Sequence, residues 1–369
     1  MTKSALKPLL LSAAVASALA VLAAPAYALE AKISGQVNRA IMHADDGSNS
    51  EIFHVDNDHS STRFRFVGSE DIGSGLKAGI VWEVEYQSND SDQVTLVGAP
   101  GKSDTGTTFG ERKMEVFFAG AFGQVTLGQG DGAMNGGIEV DLSGTQVIGY
   151  AGIGDLGGAI GFGGNSALTL RKVINQQDFE SRYDRLRYDS PKLGPLTISI
   201  STGSSNSSTA AQNGLDIQEY GIWYSSNLGA AGTLAFAVGF STKDLDTVTP
   251  GSGGDQETTG GSISWLHPSG WNVTFAISNV QNDAGKDSDF NYLKVGYKTG
   301  KHAFSADFGM GDDQVAVGDE AKHFGVQYVF APNQAVDLYA GYKTLSLDRA
   351  GGVTFDDINI LTVGSRIKF

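Results

Sequence analysis

Cysteine is absent from the 369 residues, which excludes disulfides, thiolate metal sites and a thiol nucleophile. Proline is scarce at 8 residues, and 26 lysines and arginines stand against 41 aspartates and glutamates. A chain so acidic lacks the basic surface that nucleic-acid binding requires. Beyond the first 28 residues, no apolar run nears the roughly 20 residues that a membrane helix needs. Helical periodicity is almost missing too, although an ordinary soluble domain of this length would show it. The chain is rich instead in glycine, with 50 residues, and its 40 % apolar content is spread thinly.

Residues 1–28 have the form of a secretory signal. Lys3 and Lys7 give a positive start, residues 9–24 an apolar stretch, and Ala26-Tyr27-Ala28 a small-x-small cleavage site. Cleavage predicts a mature chain of residues 29–369. Losing Lys3 and Lys7 takes the net charge from −15 to −17.

The mature chain alternates. Leu361, Val363, Ile367 and Phe369 share one parity at the end of the chain, and Thr362, Gly364, Arg366 and Lys368 share the other. The same pattern places Trp271, Val273, Phe275 and Ile277 opposite Asn272, Thr274, Ala276 and Ser278. Period two means strands with one apolar and one wet face. Sixteen such segments are predicted, the first four at 32–44, 59–69, 75–88 and 110–119 and the last at 355–369. Their length suits tilted strands crossing a bilayer. Short breaks such as Gly120-Ala121 and Pro268-Ser269 alternate with long polar ones such as 45–58 and 88–109. That rhythm predicts short periplasmic turns, long external loops and both chain ends in the periplasm. Trp82, Tyr86, Tyr188, Trp265, Trp271, Tyr297, Tyr328, Tyr342 and Phe369 lie near strand ends, as interfacial girdles do. The expected fold is all-β: a 16-stranded antiparallel transmembrane β-barrel.

One connection is too long. Residues 129–180 are too apolar and glycine-rich to hang in water, so the third external loop is expected to fold into the lumen. Its glycine-rich start lacks the Gly-Lys-Ser/Thr end of a phosphate loop. No Asp-x-Asp-x-Asp-Gly calcium loop is present either, which leaves calcium only as a bridge between acidic external loops and lipopolysaccharide. The insertion's acids, Asp131, Glu139, Asp141 and Asp155, would project into the channel. On the wall, Phe64 and Phe66 facing outward would turn Arg63 and Arg65 inward. Leu186 and Tyr188 do the same for Arg185 and Arg187, because a charge facing lipid costs about 2–4 kcal/mol. Arg112 is ambiguous, since both of its parities carry apolar residues. Arginines facing carboxylates across a narrow lumen would set a transverse field that selects ions.

These residues resemble the sixteen-stranded branch of the trimeric general-diffusion porins of Gram-negative bacteria. The resemblance is carried by Ser61-Thr62-Arg63-Phe64-Arg65-Phe66-Val67-Gly68, Phe122-Gly123-Gln124-Val125-Thr126-Leu127-Gly128-Gln129, Arg182-Tyr183-Asp184-Arg185-Leu186-Arg187-Tyr188-Asp189-Ser190-Pro191 and Val363-Gly364-Ser365-Arg366-Ile367-Lys368-Phe369. It implies an outer-membrane homotrimer with one pore per subunit and no cofactor. It also implies a constriction in which Arg63, Arg65, Arg112, Arg185 and Arg187 face Glu139 and Asp141. Phe369 matches the signal read by the barrel-assembly machinery. The insertion departs from some members by lacking a Pro-Glu-Phe-Gly-Gly stretch.

The expected function is passive diffusion of small hydrophilic solutes and ions. A solute-selective channel preferring phosphate or carboxylates is the alternative, kept open by the arginines. A barrel enzyme would need a nucleophile with a histidine base, and only His54 and His59 lie near clustered acids, both in apparent loops. The sign of ion selectivity stays open, since arginines favour anions and the net charge favours cations.

Overall fold

The computed structural model describes residues 30–97, 109–205, 214–245, 254–283 and 285–369; the expected signal at 1–28 lies outside them. Alternation decides the architecture. Trp271, Val273, Phe275 and Ile277 are exposed, whereas Asn272, Thr274, Ala276 and Ser278 are buried. A soluble sandwich hides its apolar face, and this sheet turns it outward, as lipid requires. No helix among the described residues is long and apolar enough to cross a membrane.

Seventeen strands form one antiparallel sheet. They are β1 (Glu30–Asp45), β2 (Ser50–Asp56), β3 (Arg63–Gly73), β4 (Leu76–Tyr86), β5 (Phe109–Gly120) and β6 (Gly123–Asp131). After the insertion come β7 (Arg182–Asp189), β8 (Leu196–Ser204), β9 (Asp216–Asn227), β10 (Thr233–Asp244), β11 (Asp255–Leu266) and β12 (Trp271–Asn282). The last five are β13 (Ser288–Thr299), β14 (His302–Asp312), β15 (Glu320–Asn333), β16 (Val336–Asp348) and β17 (Ile358–Lys368). β1 pairs with β17 and closes the barrel. Phe369 completes the seam: its N–H and carbonyl bond Gly35 at 3.0 Å each, and its ring occupies the space a Gly35 side chain would need.

One stave is broken. β1 pairs with β2 over residues 39–45 and with β3 over residues 30–36, so β2 and β3 share a stave and the barrel has sixteen. The expected long break at 45–58 is instead a tight turn followed by β2, and the expected strand at 59–69 begins only at Arg63. The cause is local. The Asn57 side chain accepts from His59 N–H at 3.0 Å, capping a single helical turn that cannot pair with β1. Asn57 also donates to the Val147 carbonyl at 2.8 Å, which turns the segment inward.

The buried apolar core lies inside the barrel, where an ordinary porous lumen would hold only water. The segment 132–181, slightly shorter than the expected 129–180, packs its apolar residues against inward-facing wall positions. Wall glycines make room for them. A side chain at Gly221 or Gly239, paired across β9 and β10, would collide with Met134; Gly309 and Gly341 stand in the same relation to Ile153 and Ile148. Hydroxyls then fix the backbone, with Ser262 and Ser264 accepting from Val140 and Leu142 N–H at 3.0 and 2.9 Å. Lys343 Nζ donates to the Ile153 and Leu156 carbonyls at 2.6 and 2.7 Å, satisfying turns that no ladder reaches.

Candidate functional site: a charged cavity inside the barrel

Three arginines converge on one cavity of about 530 Å³ between the wall and the insertion. Arg63, at the start of β3, donates to Ser60 Oγ at 3.1 Å and to the Ser61 carbonyl at 3.2 Å. Arg112 reaches the same cavity by a bulge. Glu83 pairs with Lys113 and Val84 with Glu111, so Arg112 is the extra residue of β5 and has no partner. A bulge re-aims a side chain. Without it, Arg112 would share the outward parity of Met114, Val116 and Phe118; with it, Arg112 turns inward and donates to Glu83 at 2.8 Å and to Glu85. Arg182, at the start of β7, lies 3.0 Å from Asp131.

Carboxylates line the same cavity, Glu85 beside Arg112 among them. Glu139, Asp155 and Asp178 come from the insertion, and Asp58 comes from the break in the stave. Asp178 accepts from Gly136 and Ile138 N–H at 2.6 and 2.8 Å, yet burial pushes it up to about 6. Burial pushes Asp155 up to about 7, opposed by the Tyr150 hydroxyl that donates to it. Glu139 is raised as well, first by burial and then by neighbouring Asp178.

Residues 175–179 form a strap between two cavities. Gln177 and Phe179 hold left-handed backbone, φ 52° and 49°, which is costly for side chains larger than glycine. The kinks send neighbours to opposite sides. Gln176 and Asp178 face the arginine cavity, Gln177 faces a second cavity of about 540 Å³, and Asn175 and Phe179 line both.

Of the residues expected at a constriction, Arg63, Arg112 and Glu139 meet in this cavity; Arg65, Arg185, Arg187 and Asp141 are not among its lining residues. Arg185 is buried, donating to the Asp131 and Gly128 carbonyls at 2.8 and 2.7 Å and pairing with Glu115. Arg187 holds Asp189 at 2.8 Å. Asp141 is buried against Lys294 at 2.7 Å and tethers the insertion to β13. Arg65 stands 3.8 Å from Glu83 with its side chain 44 % exposed. Sequence reasoning missed Arg182, Asp58 and Asp178 as lining residues. Arg182 occupies the parity of outward Leu186 and Tyr188, so alternation argued against it.

No curated protein sequence matches the chain. Solved structures do. The anion-selective porin from Comamonas acidovorans is 18 % identical, with a TM-score of 0.65 over 92 % of this chain and 99 % of that one. Salmonella typhi OmpF in complex with daunomycin is 13 % identical, with a TM-score of 0.63 over 92 % and 98 %. OmpT, an outer membrane protein of Vibrio cholerae in trimer form, is 12 % identical, with a TM-score of 0.56 over 92 % and 99 %. At these identities the likeness concerns the fold. A profile of the Gram-negative porin family matches residues 12–350. That match takes in nearly the whole barrel, so the chain belongs to the Gram-negative porin family and forms an outer-membrane channel for passive diffusion of small hydrophilic solutes and ions.

Proposed function

We propose that solutes pass through the 530 Å³ cavity, with the segment 132–181 as the constriction loop. Arg63, Arg112 and Arg182 act as its positive wall, and Glu139, Asp155 and Asp178 as its negative one. The observation that carries this reading is that cations from three separate strands and acids from one insertion line a single polar cavity. Opposed walls of charge orient dipolar solutes and set ion preference without binding them tightly. Neutralising Arg63 and Arg112 together should raise cation over anion permeability in planar bilayers. A reversal potential identical to wild type would remove them from the path.

The protein acts as a channel and not as a catalyst. His59 lines the cavity, but among the described residues no carboxylate or hydroxyl is hydrogen-bonded to its ring, so it activates no nucleophile. Lipase and peptidase assays on the purified protein should show no turnover. Three subunits per assembly are supported by the trimer form of the Vibrio cholerae relative. Export through a cleaved signal at 1–28, contact with lipopolysaccharide, and delivery to the assembly machinery through Phe369 complete the reading. Mass spectrometry of the outer-membrane protein should find Leu29 as its first residue.

A further inference from the structure

The second cavity has the opposite electrostatic character. It lies beyond the strap, at the barrel end that carries the insertion, against β10 to β13. Arg171, Lys172, Lys243 and Lys286 line it, with Glu180 the one carboxylate among its described lining residues. Two of the four cations are compensated: Lys243 pairs with Glu180, and Arg171 with Asp92. Lys172 Nζ donates to the Ser166 carbonyl at 2.9 Å, and neither Lys172 nor Lys286 has an ion-pair partner among the described residues. Asp313 and Asp319 act on Lys286 at longer range without pairing with it, so among the described lining residues positive charge is in excess around about 540 Å³ of space. The amides of Gln177, Gln256 and Gln314 supply uncharged polar contacts, and Phe179 an apolar wall.

We propose that this cavity is an outer docking vestibule for small organic anions bearing two or more carboxylates or phosphates. Two ammonium groups without a bonded carboxylate match two anionic groups on one solute, whereas a monovalent anion can satisfy only one of them. The strap explains how docking serves transport. Asn175 and Phe179 line both cavities, so a solute leaving the vestibule passes directly to the arginine wall of the constriction. Low-dielectric walls around a basic pocket raise the local concentration of anions and so their rate of entry. The proposal rests on the porin reading and adds a solute class to it.

The test is single-channel recording of the full-length protein in 0.1 M KCl, with citrate as the probe and acetate as the monovalent control. Citrate added on the loop side should block the current in a concentration-dependent way, and acetate should not. Raising KCl to 1 M should relieve the block by screening. Lys172→Gln with Lys286→Gln should raise the half-blocking citrate concentration about tenfold. Each single variant should give a smaller shift in the same direction, which guards against failed folding of the double variant. A conducting wild-type pore with no citrate block, or a block that the lysine variants leave unchanged, would overturn the vestibule and leave the porin reading intact. A wild-type protein without any conductance would remove both.

Discussion

Arg112 donates to Glu83 across 2.8 Å from a position that the β4–β5 ladder leaves unpaired. The bulge that frees Arg112 also places Glu83 between three guanidinium groups, with Arg63 at 3.6 Å and Arg65 at 3.8 Å. Glu83 therefore holds the arginine wall together, and the arginines keep their charge directed at the lumen. Arg112→Gln should raise potassium over chloride permeability about two- to fivefold, as expected of one charge acting through water over roughly 4–8 Å. Arg63→Ala should shift it the same way, whereas Arg65→Ala should have little effect. Reversal potentials in a salt gradient separate the three.

Acidification should move the channel towards anions. Burial raises Asp155 to about 7 and Asp178 to about 6, so both carboxylates lose their charge as pH falls from 8 to 5. The guanidinium groups keep theirs throughout. The cavity therefore becomes more positive at low pH, and chloride permeability should rise relative to potassium. Asp155→Asn with Asp178→Asn should flatten that pH profile. Equal pH dependence in wild type and variant would place the titrating groups elsewhere.

Lys294 and Asp141 are a pair whose loss should loosen the insertion. Both side chains are buried, and Lys294 also donates to the Gly149 carbonyl at 2.6 Å. Removing one partner of such a pair costs about 3–5 kcal/mol, because the other charge is left uncompensated. Lys294→Met should lower the unfolding temperature and produce noisy, fluctuating conductance. Adding Asp141→Leu should recover part of the stability.

The glycine pair Gly221 and Gly239 makes a related prediction. Gly221→Ala should press on Met134 and cost about 1–3 kcal/mol, the usual range for overpacking. Met134→Ala in the same chain should relieve the clash, whereas Met134→Ala alone should leave a hole. Chemical unfolding of the four variants gives the coupling between the two sites directly. Simple additivity would mean that the insertion does not seat where Met134 lies.

The barrel was legible because its rule is local. Lipid outside and water within impose alternation on every strand, and a single strand such as β12 states it completely. The broken stave was not legible, because Ile52, Phe53 and Val55 look like part of a long polar connection until β1 is seen beside them. Three of the seven expected constriction residues meet in the cavity. Parity tells which face a side chain leaves from, and the rest depends on how far along the stave it stands and what covers it. Arg185 points inward as read, but Glu115 and the β6 carbonyls of Gly128 and Asp131 occupy it. Arg112 had no readable parity because a bulge removes it from the alternation.

Wall glycines and insertion side chains fit as matched shapes, Gly221 and Gly239 with Met134, Gly309 with Ile153, Gly341 with Ile148. Neither surface is free to drift alone: a bulkier wall residue needs a smaller one opposite, and the reverse. Retuning the bore of this pore therefore demands paired substitutions. Exposed positions of the insertion, such as Asn165, Ser166 and Ala167, are where single changes come at little cost to that fit.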